Sequence, residues 1–255
     1  MRTADYAVLL AELAAGCGSN SPSVDDAPPP ATTTTATVTT THEGTSATTT
    51  TSAEKSLTLR LYFLAPDGEL AAVSRDVAQT QTPGAATLRE LTDAPTGMTT
   101  EVPSGLQLTI RQGQANVTGA KLKPPALAQV VYALTTFSTV QSVNGKTRAD
   151  VEAFAPPILV EQPSPDDNVT SPLHVTGNAN TFEATFNYRL EDADGTSLAK
   201  NFVTATSGSG TRGTFGFTIP FSVDTPQDGA LRVFERSAED GSVVHERVIP
   251  LRLSP

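Results

Sequence analysis

The second half of the chain alternates apolar and polar residues in one run after another. In residues 182–190 every second residue is apolar or aromatic, namely Phe182, Ala184, Phe186, Tyr188 and Leu190. Successive side chains of a strand point to opposite faces, so this run predicts a strand with one face on a core and the other in water. Residues 214–221 repeat the pattern, and we expect Phe215, Phe217, Ile219 and Phe221 to point inward.

Short alternating segments of this kind recur throughout residues 156–255. The predicted strands are 158–162, 172–177, 182–191, 197–206, 213–221, 229–236 and 243–253. Seven strands separated by Pro, Gly and Asp predict an antiparallel, immunoglobulin-like β-sandwich, although the Cys-Trp-Cys pattern of antibody domains is absent. The tandem prolines Pro156 and Pro157 mark its beginning, because they favour extended chain and cannot continue a helix.

Residues 57–154 mix strand and helix patterns. Strands are predicted at 57–64, 70–77, 106–111, 115–118 and 140–143. Helices are predicted to begin at Pro83 and at Pro124, with a further short helix over 148–154. The second helix carries a one-sided apolar stripe, formed by Leu127, Val130, Val131, Leu134 and Phe137. This order predicts an α+β domain with one sheet covered by two helices.

The N-terminal residues 1–17 have the features of an export signal. Arg2 precedes a short apolar segment that ends in small residues before Cys17. Residues 13–19, "LAAGCGS", resemble the lipobox of bacterial lipoproteins, which implies cleavage before Cys17 and a lipid on its thiol. Asp5 and Glu12 interrupt the apolar segment, and the alternative is an amphipathic helix with an incidental free thiol.

Residues 18–56 are dominated by Thr, Ser, Pro and Ala. Such a segment cannot bury enough apolar surface to offset its ordering entropy, so we predict a disordered linker. A linker directly after an acylated cysteine would hold the folded domains away from the membrane.

Composition and charge remove several classes of function. The net charge of −10 over 255 residues argues against nucleic acid as a partner, because phosphate binding requires a basic surface. A single cysteine excludes an intrachain disulfide, and the separated His42, His174 and His245 do not form a clustered zinc site. No apolar run approaches the roughly 18 residues of a spanning helix.

Three local motifs carry potential chemistry. Residues 192–195, "DADG", supply part of a calcium loop, but Asp-Gly between alternating strands favours a hairpin turn. The Gly-rich residues 207–213 precede a strand rather than a helix, so a flexible inter-strand loop is favoured over a phosphate site. His174 and His245 have no serine elbow or second histidine at ligand spacing, which favours structural roles.

Both folded regions resemble known families. The segments "LRLYFLAPDGEL" (59–70), "TLRELTDAPT" (87–96) and "ALAQVVYALTTF" (126–137) resemble a GerMN domain, found in sporulation, germination and other envelope lipoproteins. The segments "ATSGSGTRGTFGFTIPF" (205–221) and "LRVFERSAEDGS" (231–242) resemble the immunoglobulin-like domain of bacterial spore germination. These resemblances imply non-catalytic domains without a cofactor.

The sequence therefore predicts a non-catalytic envelope protein outside the cytoplasm, anchored to the membrane by a lipid at Cys17. We expect it to bind other envelope proteins through the surfaces of its two domains. The alternatives are a module that binds cell-wall glycan or peptidoglycan, and a hydrolase whose site would include His174 or His245. Glycan sites usually use exposed aromatic rings, and the chain has no Trp and four Tyr.

Overall fold

The computed structural model of the protein describes residues 55–255. The predicted signal peptide and lipobox, with Cys17, and almost all of the predicted linker lie outside the described residues. Across 55–255, every helix is too short or too polar to cross a membrane.

The first domain is α+β, as expected, but its strands form two sheets rather than one. Strand β1 (Ser56–Leu64) pairs antiparallel with β2 (Leu70–Ala78). The second sheet contains β3 (Gln107–Arg111), β4 (Gln114–Thr118) and β5 (Ser142–Val143). The expectation of a single sheet is corrected because, among the described residues, the β1–β2 hairpin does not pair with β3, β4 or β5.

Two α-helices and a short 3-10 helix complete this domain. They are α1 (Pro83–Glu90), α2 (Pro124–Leu134) and the 3-10 helix Ala149–Phe154. Helix α2 contacts β1, β5, α1 and the 3-10 helix. It is therefore buried on nearly all sides, and the expected one-sided stripe is corrected. Small residues such as Ala126 and Ala128 make this possible, because they let neighbouring elements approach closely.

The second domain is the expected β-sandwich, except that an additional two-residue strand, Asn168–Val169, pairs parallel with the last strand of the chain. Its elements are β6 (Ile158–Gln162), β7 (Asn168–Val169), β8 (Leu173–Ala179), β9 (Thr185–Glu191), β10 (Ser197–Thr204), β11 (Gly213–Ile219), β12 (Gln227–Arg236) and β13 (Val243–Leu253). One sheet has the order β10-β9-β12-β13-β7, and the other has the order β11-β8-β6. Phe186, Phe215 and Ile219 lie in the core between them, as their alternation predicts.

The alternation starts later in β9 than the sequence predicts. Phe182, expected to point into the core, has 61% of its surface exposed. Residues Phe182–Ala184 form a 3-10 turn in which Glu183 and Ala184 have positive φ angles. The turn interrupts the strand because the amide of Phe182 donates to the Glu235 carboxylate instead of to a neighbouring strand. The predicted inward orientation of Phe182 is therefore wrong.

Strand β6 contributes to the cores of both domains. Ile158 and Val160 pack into the core of the sandwich, whereas Leu159 packs into the core of the first domain. Successive side chains of a strand point to opposite faces, so a five-residue strand can serve two cores only if it lies between them. This position also brings Glu161, the next residue on the Leu159 side, to the first domain.

Gly177 in β8 provides a test of the close packing of β8 against β6. A Cβ at this position would collide with the carbonyl oxygen of Leu159 and lie 2.6 Å from the Phe215 ring. We expect Gly177→Ala to lower the free energy of unfolding by about 1–3 kcal/mol, as overpacked cores do. The measurement is urea denaturation of the full chain.

The matched control is Gly216→Ala on the adjacent strand β11. The nearest atom to a Cβ there is Thr176 Cγ2 at 3.9 Å, an ordinary contact, so we expect a change within about 0.5 kcal/mol. Equal effects of the two substitutions would contradict the packing of β6 against β8.

Candidate functional site

The carboxylate of Glu161 is the centre of a polar cluster between the two domains. It accepts hydrogen bonds from the Tyr62 hydroxyl at 2.6 Å, Arg148 Nη1 at 2.8 Å, Asn178 Nδ2 at 3.1 Å and Arg60 Nη1 at 3.4 Å. Only 14% of its side chain is exposed. Three of these donors belong to the first domain and one to the sandwich, so one carboxylate connects both.

Arg148 attaches this carboxylate to helix α2. Its Nε donates to the Thr135 hydroxyl at 2.8 Å, and its Nη2 donates to the Tyr132 carbonyl oxygen at 3.0 Å. Its guanidinium carbon also lies 4.7 Å from the centre of the Tyr132 ring and 5.6 Å from that of Tyr62. A planar guanidinium can donate in its plane and stack on aromatic faces at the same time, which a lysine cannot do.

The two tyrosines stay protonated in this environment. Burial, followed by the neighbouring Glu161 charge, raises the pKa of Tyr62 far above its ordinary value. Burial likewise raises the pKa of Tyr132. Both phenols are therefore neutral at physiological pH, and Tyr62 acts as a hydrogen-bond donor rather than as a base.

Arg212 forms a second connection between the domains. Its Nε donates to Glu152 at 3.1 Å, its Nη1 to the Asn178 side-chain oxygen at 3.0 Å and its Nη2 to the Pro156 carbonyl oxygen at 3.0 Å. Asn180 also donates to Glu152 at 3.0 Å. Because Asn178 touches both Arg212 and Glu161, the two ion clusters form one continuous network.

The loop that carries Arg212, residues 207–213, is held in place rather than free. Its Ser209 amide donates to the Thr181 carbonyl oxygen at 2.9 Å, and its Gly210 amide donates to the Asn180 side chain at 2.9 Å. A Cβ on Gly208 would collide with the Ala184 amide, so the loop packs tightly on the Phe182–Ala184 turn. The expectation of a flexible loop is corrected, because its one charged side chain and its backbone are both bound.

A third set of contacts joins the sandwich to the β1–β2 hairpin of the first domain. Arg247 in β13 pairs with Asp67 and Glu69, which belong to the turn between β1 and β2. The Ser164 hydroxyl accepts a hydrogen bond from the Ser74 amide at 2.7 Å. An apolar cleft of about 510 Å³ lies between the domains here, lined by Leu70, Met98, Pro163, Val248 and Ile249 among others.

Polar cavities flank Glu161 as well. One of about 680 Å³ is lined by Arg60, Thr135, Arg148 and Glu161, and one of about 420 Å³ by Glu152, Asn178 and Arg212 together with Glu161. Their carboxylates are both already paired with arginines. This arrangement is suited to holding two domains together, since its acids are fully engaged by cations.

The histidines singled out from the sequence lie in different sheets. His174 is in β8, where its Nδ1 lies 3.3 Å from the Thr218 hydroxyl at the surface. His245 is in β13, where its Nδ1 lies 2.8 Å from Glu235 Oε2. Glu235 also accepts a hydrogen bond from the Phe182 amide. The His245–Glu235 pair therefore helps to hold the 3-10 turn that precedes β9. Among residues 55–255, no group of three or more His, Cys, Asp or Glu side chains is arranged to hold a metal.

Residues 192–195 form the predicted hairpin turn between β9 and β10. The Asp192 carboxylate accepts hydrogen bonds from the backbone amides of Asp194 at 3.0 Å and Thr196 at 2.8 Å. Gly195 has a positive φ of 79°, which this turn requires. The turn between β12 and β13 is similar. There the Ser242 amide donates to Asp240, and this hydrogen bond lowers the pKa of the Asp240 carboxyl group.

Sequence reasoning did not identify the Glu161 network. One signal was present, since Glu161 directly follows the apolar run of residues 158–160 and the tandem prolines. A charge at the end of a buried strand requires a partner. Its partners Arg148 and Tyr62 lie 13 and 99 residues away in sequence, and no local pattern connects them.

Two family models match the chain, one for each domain. Residues 60–144 match the model described as sporulation and spore germination, and residues 157–242 match the model of the immunoglobulin-like domain of bacterial spore germination. Both families expected from the sequence are thereby confirmed. No curated protein matches the chain.

Two solved structures are similar at low identity. The tandem GerMN domains of the sporulation protein GerM from Bacillus subtilis are 14% identical with a TM-score of 0.33, and the match covers 67% of this chain and 63% of that one. CopC from Methylosinus trichosporium OB3b is 16% identical with a TM-score of 0.26, over 38% of this chain and 94% of that one. This chain thus spans less than two thirds of the GerM structure.

The Glu161 network makes a direct prediction about stability. Glu161→Ala leaves Arg60, Arg148 and the Tyr62 hydroxyl without their shared acceptor in a largely buried place. We expect the free energy of unfolding to fall by about 2–4 kcal/mol, measured by urea denaturation of the full chain.

Asp228→Ala is the control for loss of an ion pair at the surface. Asp228 and Arg252 form a pair at 2.9 Å in which both side chains are mostly exposed. Exposed pairs contribute about 0–1 kcal/mol, so this variant should be nearly as stable as the unmodified chain. A Glu161→Ala effect no larger than that of Asp228→Ala would contradict the role assigned to the network.

Proposed function

We propose that the chain is a non-catalytic, lipid-anchored assembly module of the bacterial envelope. The support is that one domain matches the sporulation and spore germination model and the other matches the immunoglobulin-like domain of bacterial spore germination. The work of the chain is to bind another envelope protein and hold it at the membrane surface. This role is performed by the surfaces of the two domains rather than by a reactive site.

The observation that carries this proposal is the use of the charged side chains between the domains. Glu161, Arg148 and Arg212 all bind partners within the protein, and these partners join one domain to the other. A catalytic acid or base must instead be available to a substrate. Two domains joined in this way present their outer surfaces in one fixed arrangement, which is useful for assembling partners.

The membrane attachment rests on Cys17 and the residues around it. In this proposal, the signal segment is cleaved before Cys17 and the thiol carries the lipid. If residues 19–56 form the disordered linker expected from the sequence, they would span on the order of 35 Å, enough to separate the folded domains from lipid headgroups. We therefore propose that the chain lies outside the cytoplasm, attached to the cell membrane.

Replacement of Cys17 tests the anchor. Cys17→Ser removes the thiol that the lipid requires, and we expect the protein to move from the detergent phase to the aqueous phase on partitioning. Incorporation of radiolabelled fatty acid should be lost at the same time. Unchanged partitioning and labelling would refute the lipid anchor without bearing on the folded domains.

Crosslinking in the native cell tests the assembly role. We expect the full chain to give discrete adducts with an envelope protein, identified by mass spectrometry. A chain ending at residue 56, which keeps the anchor and linker, serves as the control and should not give these adducts. Absence of protein adducts, together with retention of the Cys17→Ser protein on purified peptidoglycan, would favour the glycan-binding alternative instead.

A further inference from the structure

The outer face of the five-stranded sheet carries two aromatic residues outside the apolar cores, the exposed Phe202 and the largely buried Phe234. Phe202 in β10 lies opposite Asn187 in β9, and Asn187 lies opposite Phe234 in β12. Their neighbours Val203 and Val233 point into the core, so Phe202, Asn187 and Phe234 share the outer face. Phe202 is 63% exposed, although an aromatic ring of this size is costly to leave in water.

Basic side chains lie on both sides of Phe202 and Phe234 on this face. Lys200, Arg189 and Arg232 form the adjacent row of the same face, and the guanidinium of Arg236 lies 5.5 Å from the centre of the Phe234 ring. A concavity of about 370 Å³ is present here. It is lined by Asn187, Tyr188, Arg189, Lys200, Asn201, Phe202, Phe234 and Arg236, a set with three basic residues and no acidic one.

Two of these cations have no carboxylate partner within residues 55–255. Lys200 forms no ion pair there, and Arg236 donates only to the Gly241 carbonyl oxygen at 3.0 Å. The carboxylates of the strands on this face, Glu191, Glu246 and Asp228, are already bound by arginines. The face is therefore locally positive in a chain whose net charge is −10.

The backbone of the edge strand is less available for binding a partner than the side chains of the outer face are. Strand β10 is the edge strand, but the amide of Phe202 already donates to the Asn201 side-chain oxygen at 2.9 Å. A partner that added a strand would need such amides to be free. Recognition is therefore expected through the rings and the cations on the outer face.

From this arrangement we propose that the Phe202–Arg236 face, formed by Asn187, Lys200, Phe202, Phe234 and Arg236, binds an acidic segment of a partner protein. An apolar side chain of the segment covers the exposed ring of Phe202, next to Phe234, which is itself only 8% exposed. Carboxylates on either side of it pair with Lys200 and Arg236. This inference rests on the proposed assembly role and names the surface and partner chemistry through which it acts.

The combination of rings and cations favours an acidic peptide over an anionic polymer of the cell wall. A polymer bearing only phosphates would use Lys200 and Arg236 and leave Phe202 uncovered. A peptide with an apolar residue between carboxylates uses both, as aromatic and arginine residues do at the centres of protein interfaces.

A photo-crosslinker at Phe202 tests the proposal in the full, membrane-attached chain. p-Benzoylphenylalanine replaces Phe202 with little change in shape, and irradiation of cells joins it to whatever covers this position. We expect an adduct whose partner peptide, mapped by mass spectrometry, carries Asp or Glu within a few residues of the crosslinked site.

Charge reversal on the same face should abolish this adduct. Lys200→Glu combined with Arg236→Glu is expected to lower its yield at least tenfold. The matched control is Lys121→Glu with Lys123→Glu, two exposed lysines of the first domain, which should leave the yield unchanged. If the reversed variant is destabilised, Lys200→Gln with Arg236→Gln, with its melting temperature checked, replaces it and should still lower the yield severalfold.

A second crosslinker position separates this proposal from the assembly role. Ile110 in β3 is partly exposed on the first domain. Adducts at Ile110 but none at Phe202 would refute the Phe202–Arg236 face and leave the assembly role intact, whereas no adduct at either position would count against both. An adduct at Phe202 with a glycan, with another copy of this chain or with a segment lacking acids would also refute the proposed partner.

Discussion

The structure depends on one strand that serves two domains. Strand β6 directs Ile158 and Val160 into the sandwich and Leu159 into the first domain, and it ends with Glu161 on the side of Leu159. A buried carboxylate is unfavourable unless charged and hydrogen-bonding groups compensate it. Glu161 obtains this compensation from Tyr62, Arg148 and Arg60 of the first domain, so it is satisfied only when the domains are together.

The remaining junction contacts reinforce the same arrangement from different directions. Arg212 reaches from the sandwich to Glu152, and Arg247 reaches from β13 to the turn after β1. These contacts involve different elements of each domain, so the two domains are joined at more than one point. Directional hydrogen bonds to buried charges are well suited to selecting one orientation, whereas apolar packing alone tolerates several. The outer face around Phe202 is consequently held in a fixed position relative to the first domain.

Much of the fold was predictable because alternation is a local signal. The strands from β8 to β13 follow from residues two apart, and the turn at residues 192–195 follows from Asp-Gly chemistry. Phe182 was misplaced because its turn is set by Glu235, which is 53 residues away in sequence. The apolar surface of α2 was underestimated because its alanines, such as Ala126, give no periodic signal although they are fully buried.

The candidate site was much less predictable than the fold. Glu161, Arg148 and Arg212 are ordinary charged residues in sequence, and only the packing of two domains brings them together. Arg212 lies in the Gly-rich loop of residues 207–213, and the structure directs its side chain to Glu152 and Asn178. Sites made of residues far apart in sequence leave no spacing pattern. The Phe202–Arg236 face was not predictable for the same reason, because it depends on the register of β10, β9 and β12.

Differential scanning calorimetry of the chain and its Glu161→Ala variant tests the central claim most directly. If the Glu161 network joins the domains into one cooperative unit, the unmodified chain should unfold in one transition whose calorimetric and van't Hoff enthalpies agree. The variant should then unfold at a lower midpoint temperature, still in one transition, because β6, Arg212 and Arg247 continue to join the domains. Two independent transitions in the unmodified chain, unchanged by the substitution, would contradict the account.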